Sequence, residues 1–272
     1  MEAILFVGHG SKDPEGNQEL AQFAQRMAKR LKTDIIEICF LEFAEPDLPQ
    51  GIERCVSRGA KNIIVVPMML FAAGHAKVHI PMAILRAKRR YPEVTFQYKR
   101  AVEVEEKVLQ IMKQRLSPFQ EKIGEETAIL LVGRGSSDRE ANSDLFKVAR
   151  LLWEEIPARW VEVAFMGVTK PLFHEGMERC IKLGAKTIIV LPYFLFTGIL
   201  IKRMQRFTND WKENDPERSI EQAPYLGIDD ELFSVFLSRL DEDVSKRWTW
   251  ESLSRQAMKQ RVDHHHHHHH HQ

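Results

Sequence analysis

The chain has 272 residues, 44% of them hydrophobic and 28% charged, with a formal net charge of +1. This is the composition of an ordinary globular protein, long enough for one large or two small domains. The near-neutral balance supplies no global field toward nucleic acid or membrane, and no apolar run reaches the length of a membrane span, so neither partner is expected.

Residues 3–7 form an apolar run of strand length that begins without a basic leader or cleavage site, and a cytoplasmic location is expected. Leu20, Phe23, Ala24, Met27, Ala28 and Leu31 recur at helical spacing and predict a helix over 17–31. A strand follows over 35–40, then a short helix over 48–56 ended by Arg58-Gly59. The β-branched run 62–66 predicts a strand stopped by Pro67. A helix is expected over 80–90 with Pro81 in its first turn, then a strand over 94–98 and a helix over 103–116. Residues 117–126 are polar, contain Pro118 and Gly124, and read as a linker. Beyond it come strands over 128–132, 161–165 and 187–191, helices over 144–155, 172–183 and 201–211, and a helix over 231–240. Residues after 247 lack a clean period and are expected to be mobile. The tract His264 to His271 is either an expression tag or a natural metal-gathering tail.

The chain repeats itself. Gly8-His9-Gly10-Ser11-Lys12-Asp13 returns 125 positions later as Gly133-Arg134-Gly135-Ser136-Ser137-Asp138, and Phe40 to Phe71 returns as Phe165 to Phe196. A period this long indicates duplicated domains rather than a solenoid. The expected division is an N-terminal lobe over 1–116, a degenerate repeat lobe over 127–240 and a tail over 241–272. The expected fold is α/β: two similar lobes, each a mainly parallel four-stranded sheet flanked by helices, with the active cleft between them. Cys39, Cys55 and Cys180 form no CxxC pair and read as reduced, small core residues.

In parallel sheets ligands bind outside the carboxyl ends of the strands. His9 follows the first strand, Glu42 the second, and His75 lies in the long loop after the third. At the repeat offset they face Arg134, Gly167 and Leu200. Two imidazoles and one carboxylate suffice to hold a divalent first-row metal with positions left open, and neutral imidazole is also a proton acceptor near neutral pH. Glu45 is an alternative to Glu42. His79, four residues after His75, reads as a cap or a support to the ligands, and the spacing lacks the Glu of HExxH. The apolar runs Met68 to Gly74 and Tyr193 to Leu200 are either core or walls for a flat ligand. Lys77, Arg86, Lys88, Arg89, Arg90, Lys202 and Arg203 offer cations nearby, and Arg134 is the best placed to meet a carboxylate. The Gly8-His9-Gly10-Ser11 turn could also cradle a phosphate, but a phosphohistidine phosphatase would want Arg where Gly8 stands.

These features together resemble the class II chelatases, the two-lobed sirohydrochlorin chelatases of the SirB and CbiX type, over roughly residues 1–240. The resemblance rests on Gly8-His9-Gly10-Ser11, Phe40-Leu41-Glu42 with Pro46, Gly74-His75 before Ile80-Pro81, and Leu195 to Leu200. It implies insertion of Fe2+ or Co2+, as substrate and without an organic cofactor, into sirohydrochlorin. It makes His9 and His75 the metal-binding and catalytic residues with Glu42 as acidic partner; Ser11, Arg134 and Lys202 are then expected to contact the tetrapyrrole. A monomer or weak dimer is expected. The alternatives are a non-catalytic carrier of metal or tetrapyrrole, and the phosphatase.

Overall fold

The computed structural model describes residues 1–31, 33–239 and 242–269; the side chains of residues 75, 246, 247 and 260–269 lie outside that description. The chain runs through β1 (Glu2–Gly8), α1 (Pro14–Arg30), β2 (Ile35–Phe40), α2 (Leu48–Ser57), β3 (Asn62–Pro67), α3 (His75–Arg90), β4 (Thr95–Tyr98) and α4 (Glu106–Leu116). It continues through β5 (Thr127–Gly133), α5 (Arg139–Glu155), β6 (Trp160–Phe165), α6 (Phe173–Leu183), β7 (Thr187–Pro192), α7 (Ile199–Asn214) and β8 (Ser219–Gln222). Helices α8 (Asp230–Leu237) and α9 (Trp250–His269) close it.

Each half forms one four-stranded sheet, β2-β1-β3-β4 and β6-β5-β7-β8, with every pair parallel. β1 is buried from its second residue onward, as a central strand covered on both faces must be. Its register pairs Gly8 with Phe40, so the ends of β1 and β2 lie level and the residues that follow emerge at one edge. The chain leaves β1 toward β2 and leaves β3 toward β4, in opposite directions. That reversal opens a crevice at the carboxyl ends of β1 and β3.

One face of the first sheet packs on α2 and α3 through Leu5, Val7, Ile52, Ile80 and Ile84. The other carries Phe6 against Phe23 of α1, with Phe233 of α8 completing a triad of rings at centroid distances of 5.5, 6.5 and 6.0 Å. Asp13 and Asp138 cap α1 and α5 alike, each accepting from the backbone N–H two residues on.

The compact units differ from the repeat halves. One comprises Met1–Glu103 and the chain from Phe233 onward; the other is Val104–Leu232. Helix α4, expected to close the N-terminal lobe, packs on α5 and β7, while the chain from Phe233 packs on the first sheet. Arg239, almost fully buried, donates to the carbonyls of Ala101 and Val102 at 2.7 Å each. Lys99 donates to the Glu242 carbonyl at 2.6 Å, Arg100 to the Glu242 carboxylate at 2.8 Å, and the Tyr98 N–H to Asp243 at 3.1 Å.

Three local expectations change. Helix α3 begins at His75, so His75 opens a helix rather than sitting in a loop, and Pro81 lies in the helix interior. Burial of Ala76, Val78, Ile80, Ala83, Ile84 and Ala87 outweighs the bond Pro81 cannot donate. Strand β8 has only Ile220 fully buried, too little alternation to be read from sequence. Residues 250–269 are helical, with Leu253 buried and the Arg89 guanidinium 4.3 Å from the Trp250 ring. Among the described residues no helix is long and apolar enough to cross a membrane.

Candidate active site

The loops after β1 and β2 are tied together through backbone. Leu41 N–H donates to the Gly8 carbonyl and Glu42 N–H to the His9 carbonyl, both at 3.0 Å. Gly10 has φ +94°, and a methyl group there would lie 1.8 Å from the Glu42 carbonyl oxygen. Only glycine fits such an approach in such a conformation. The same carbonyl accepts from Ala44 N–H at 2.8 Å, closing a γ-turn whose central residue, Phe43, has φ +64°. Residues 9 and 42 are thereby fixed side by side.

Their side chains meet. His9 Nε2 lies 3.5 Å from Glu42 Oε2, with the side chains 33% and 41% exposed. A pair this open to water adds at most about 1 kcal/mol to stability, so the backbone bonds, not this contact, hold the loops. What the pair offers is an imidazole nitrogen, itself covered from water, beside a carboxylate on an exposed residue, a donor set suited to a divalent first-row cation and to proton transfer.

The second lobe keeps the backbone and drops the chemistry. Met166 N–H donates to the Gly133 carbonyl at 2.9 Å and Gly167 N–H to the Arg134 carbonyl at 3.1 Å. A methyl at Gly135, φ +90°, would lie 1.9 Å from the Gly167 oxygen. Thr169 N–H closes the turn onto that oxygen at 2.8 Å, with Val168 at φ +70°. Arg134 and Gly167 stand where the imidazole and carboxylate stand in the first.

His75 follows Gly74 (φ 54°) as the first residue of α3; its side chain lies outside the described residues. Among the described residues no three His, Cys, Asp or Glu side chains gather as a metal site; of the expected trio, His9 and Glu42 lie among the described side chains and meet as a pair. Glu45 lies with Glu37, Glu53, Arg54 and Arg58 around a cavity of about 390 Å3 beside α2, which leaves Glu42 as the partner of His9. His79 is half-buried on α3.

Ser11 supports the turn itself. Its hydroxyl accepts from Asp13 N–H at 3.0 Å, and Asn17 bonds its backbone N–H and carbonyl. Ser136 and Asn142 repeat these bonds. Arg134 and Lys202 are exposed, after β5 and in the first turn of α7. Of the apolar runs, Met68, Met69, Tyr193 and Leu195 are core, while Leu70, Phe71, Phe194 and Phe196 are half-buried. Arg89, expected to offer a free cation, lies over Trp250. The three cysteines are buried. Burial pushes the Cys39 thiol well up and, ahead of the neighbouring charges of Glu37 and Glu162, pushes Cys55 and Cys180 to about 12. Thiolate ligation at neutral pH is thereby disfavoured. Phe43 and Lys12 also stand at this edge, unmarked by the sequence pattern; nothing in the composition of Leu41 to Pro46 signals a left-handed aromatic residue.

The family model described as CbiX matches residues 3–118 and 128–243, one copy per lobe. The chain belongs to the CbiX family. Among members and relatives, the sirohydrochlorin cobaltochelatase of Priestia megaterium is 47% identical over 248 residues, 90% of this chain and 80% of the relative. The sirohydrochlorin ferrochelatase of Bacillus subtilis is 34% identical over 244 residues, 90% and 92% of the two chains. The crystal structure of the sirohydrochlorin chelatase SirB from Bacillus subtilis subspecies spizizenii in complex with cobalt is 32% identical. It covers 89% of this chain and 94% of its own, with a TM-score of 0.74. SirB from Bacillus subtilis with Fe3+ is 34% identical over the same shares, with a TM-score of 0.76. This CbiX-family chain thus shares its fold with structures at more than 30% identity.

Proposed function

We propose that this protein inserts Fe2+ or Co2+ into sirohydrochlorin, exchanging the metal ion for the two pyrrole N–H protons of the macrocycle. The observation that carries this reading is the His9 Nε2 to Glu42 Oε2 approach of 3.5 Å at one lobe's rim, on a backbone the other lobe reproduces without those groups. The relatives' names, sirohydrochlorin cobaltochelatase and ferrochelatase, supply the substrate.

In this mechanism Glu42 and His9 receive the entering dication, with His75 as a third donor. The carboxylate lowers the charge carried inward. As the four ring nitrogens take the metal, the two that carry protons give them up and keep the electron pairs for the new bonds, while the other two donate lone pairs they already hold. His9 accepts a proton once it releases the metal, and water removes the second. Ser11, beside His9 and Glu42, contacts a peripheral carboxylate of the macrocycle.

The test is anaerobic incubation of sirohydrochlorin with Co2+ or Fe2+, followed by absorbance. The protein accelerates metallation, and His9→Ala or Glu42→Gln lowers the rate about 100-fold or more with unchanged circular dichroism. Binding of the macrocycle without acceleration defeats the reading in favour of a carrier. The phosphatase alternative wants an arginine where Gly8 stands.

A further inference from the structure

We infer that Phe43 and Lys12 form a docking pair for the macrocycle beside the metal-receiving residues: the Phe43 ring lies against the tetrapyrrole and the Lys12 ammonium pairs with one of its peripheral carboxylates. This rests on the chelatase reading and goes beyond it.

Three observations carry it. First, Phe43 is 58% exposed although large and apolar, and it directly follows Glu42. Its φ of +64° is one that a bulky residue adopts only under constraint. The constraint is the γ-turn fixed by Ala44 N–H and by the contact of Gly10 with the Glu42 carbonyl. The turn therefore presents the ring to solvent at the edge where Glu42 presents its carboxylate.

Second, Lys12 Nζ lies over the Phe43 ring, 5.2 Å from its centroid. The ring draws the ammonium to its face, which places a positive charge next to a flat apolar surface. That combination matches a ligand with a conjugated plane and acidic side chains.

Third, the second lobe keeps the turn but not the pair. Val168 occupies the position of Phe43 at φ +70°, and Ser137 that of Lys12. The fold thus asks for neither an aromatic ring nor a cation there. Phe43 and Lys12 vary between lobes together with His9 and Glu42, while the glycines, the serine turn and the helix cap stay.

The second lobe also supplies the clean substitutions, since Val and Ser are residues this backbone already accepts. In steady-state metallation with Co2+, Phe43→Val raises KM for sirohydrochlorin roughly three- to tenfold, the range of one aromatic contact. It leaves kcat, KM for Co2+ and Tm near wild type, and Phe43→Trp restores the low KM. Lys12→Ser likewise raises KM for sirohydrochlorin and weakens its salt dependence. Phe43→Gly, which removes the strain at positive φ, separates loss of contact from poor folding: KM rises while Tm holds or increases. Unchanged KM in the Val and Gly variants overturns the inference. So does a fall in kcat alone, which would show the turn acting only through Glu42. A wild-type protein that does not metallate sirohydrochlorin rejects the chelatase reading itself, and the docking pair with it.

Discussion

At the scale of single residues, the site depends on what glycine permits. Gly10 and Gly135 occupy equivalent left-handed positions, and each lets a carbonyl come closer than any side chain would allow. Replacing either with Ala forces the two loops apart and costs about 1–3 kcal/mol. The consequences for activity separate. Gly10→Ala displaces Glu42 from His9 and lowers metallation per folded molecule. Gly135→Ala disturbs the backbone bonds between the loops of Arg134 and Gly167 and lowers Tm while sparing the His9–Glu42 pair. Thermal melts and initial rates on the two variants check this; equal losses of rate would show that the lobes share the chemistry.

At the scale of elements, the segment after α8 is anchored to the end of β4 by charge. The hydrogen bond from Arg100, ahead of the opposing effect of burial, holds the Glu242 carboxyl below its usual range. At Asp243 burial acts upward, but hydrogen bonds from Ser245 and the Tyr98 N–H, together with the charge of Lys88, outweigh it and hold the carboxyl low. A carboxyl lowered in the folded state contributes stability that is present above its unfolded value and is lost as pH falls through its folded value. The anchor therefore holds at neutral pH and loosens below about pH 4. Amide exchange at Tyr98 and Ser245 is expected to rise across that acid range before the core of β1 exchanges. Simultaneous exchange of both regions would show that the anchor has no local stability of its own.

At the scale of the whole molecule, the units cross the repeat boundary. The first sheet's outer face is completed by Phe233, and its β4 end is held by Arg239 and Glu242. All three lie more than a hundred residues away in sequence. A fragment ending at residue 116 keeps the four strands of the first sheet but loses these contacts, and carries α4 with its buried Val108, Leu109, Ile111 and Met112 unmatched. It is expected to unfold without cooperativity or to aggregate. A fragment over 104–232 keeps its own sheet and α4 and is expected to melt cooperatively. Circular dichroism melts of the two fragments decide it, and a cooperative transition in the 1–116 fragment would contradict the division.

The repeat, the parallel strands with their helices, and the loss of His9, Glu42 and His75 from the second copy are written in local pattern: apolar period, β-branched runs, and residues matched at a fixed offset. Those signals need only neighbours in sequence, and they suffice to place residues 9 and 42 at one edge. Tertiary structure alone decided that Glu42 rather than Glu45 meets His9, because a two-bond ladder between separate loops aims that carboxylate. It alone turned Phe43 outward, since a left-handed turn on a bulky residue is imposed by backbone contacts and not by propensity. It also decided where the last helix of each copy packs, which depends on complementary apolar faces and buried charges meeting across the length of the chain, a preference that no window of sequence contains.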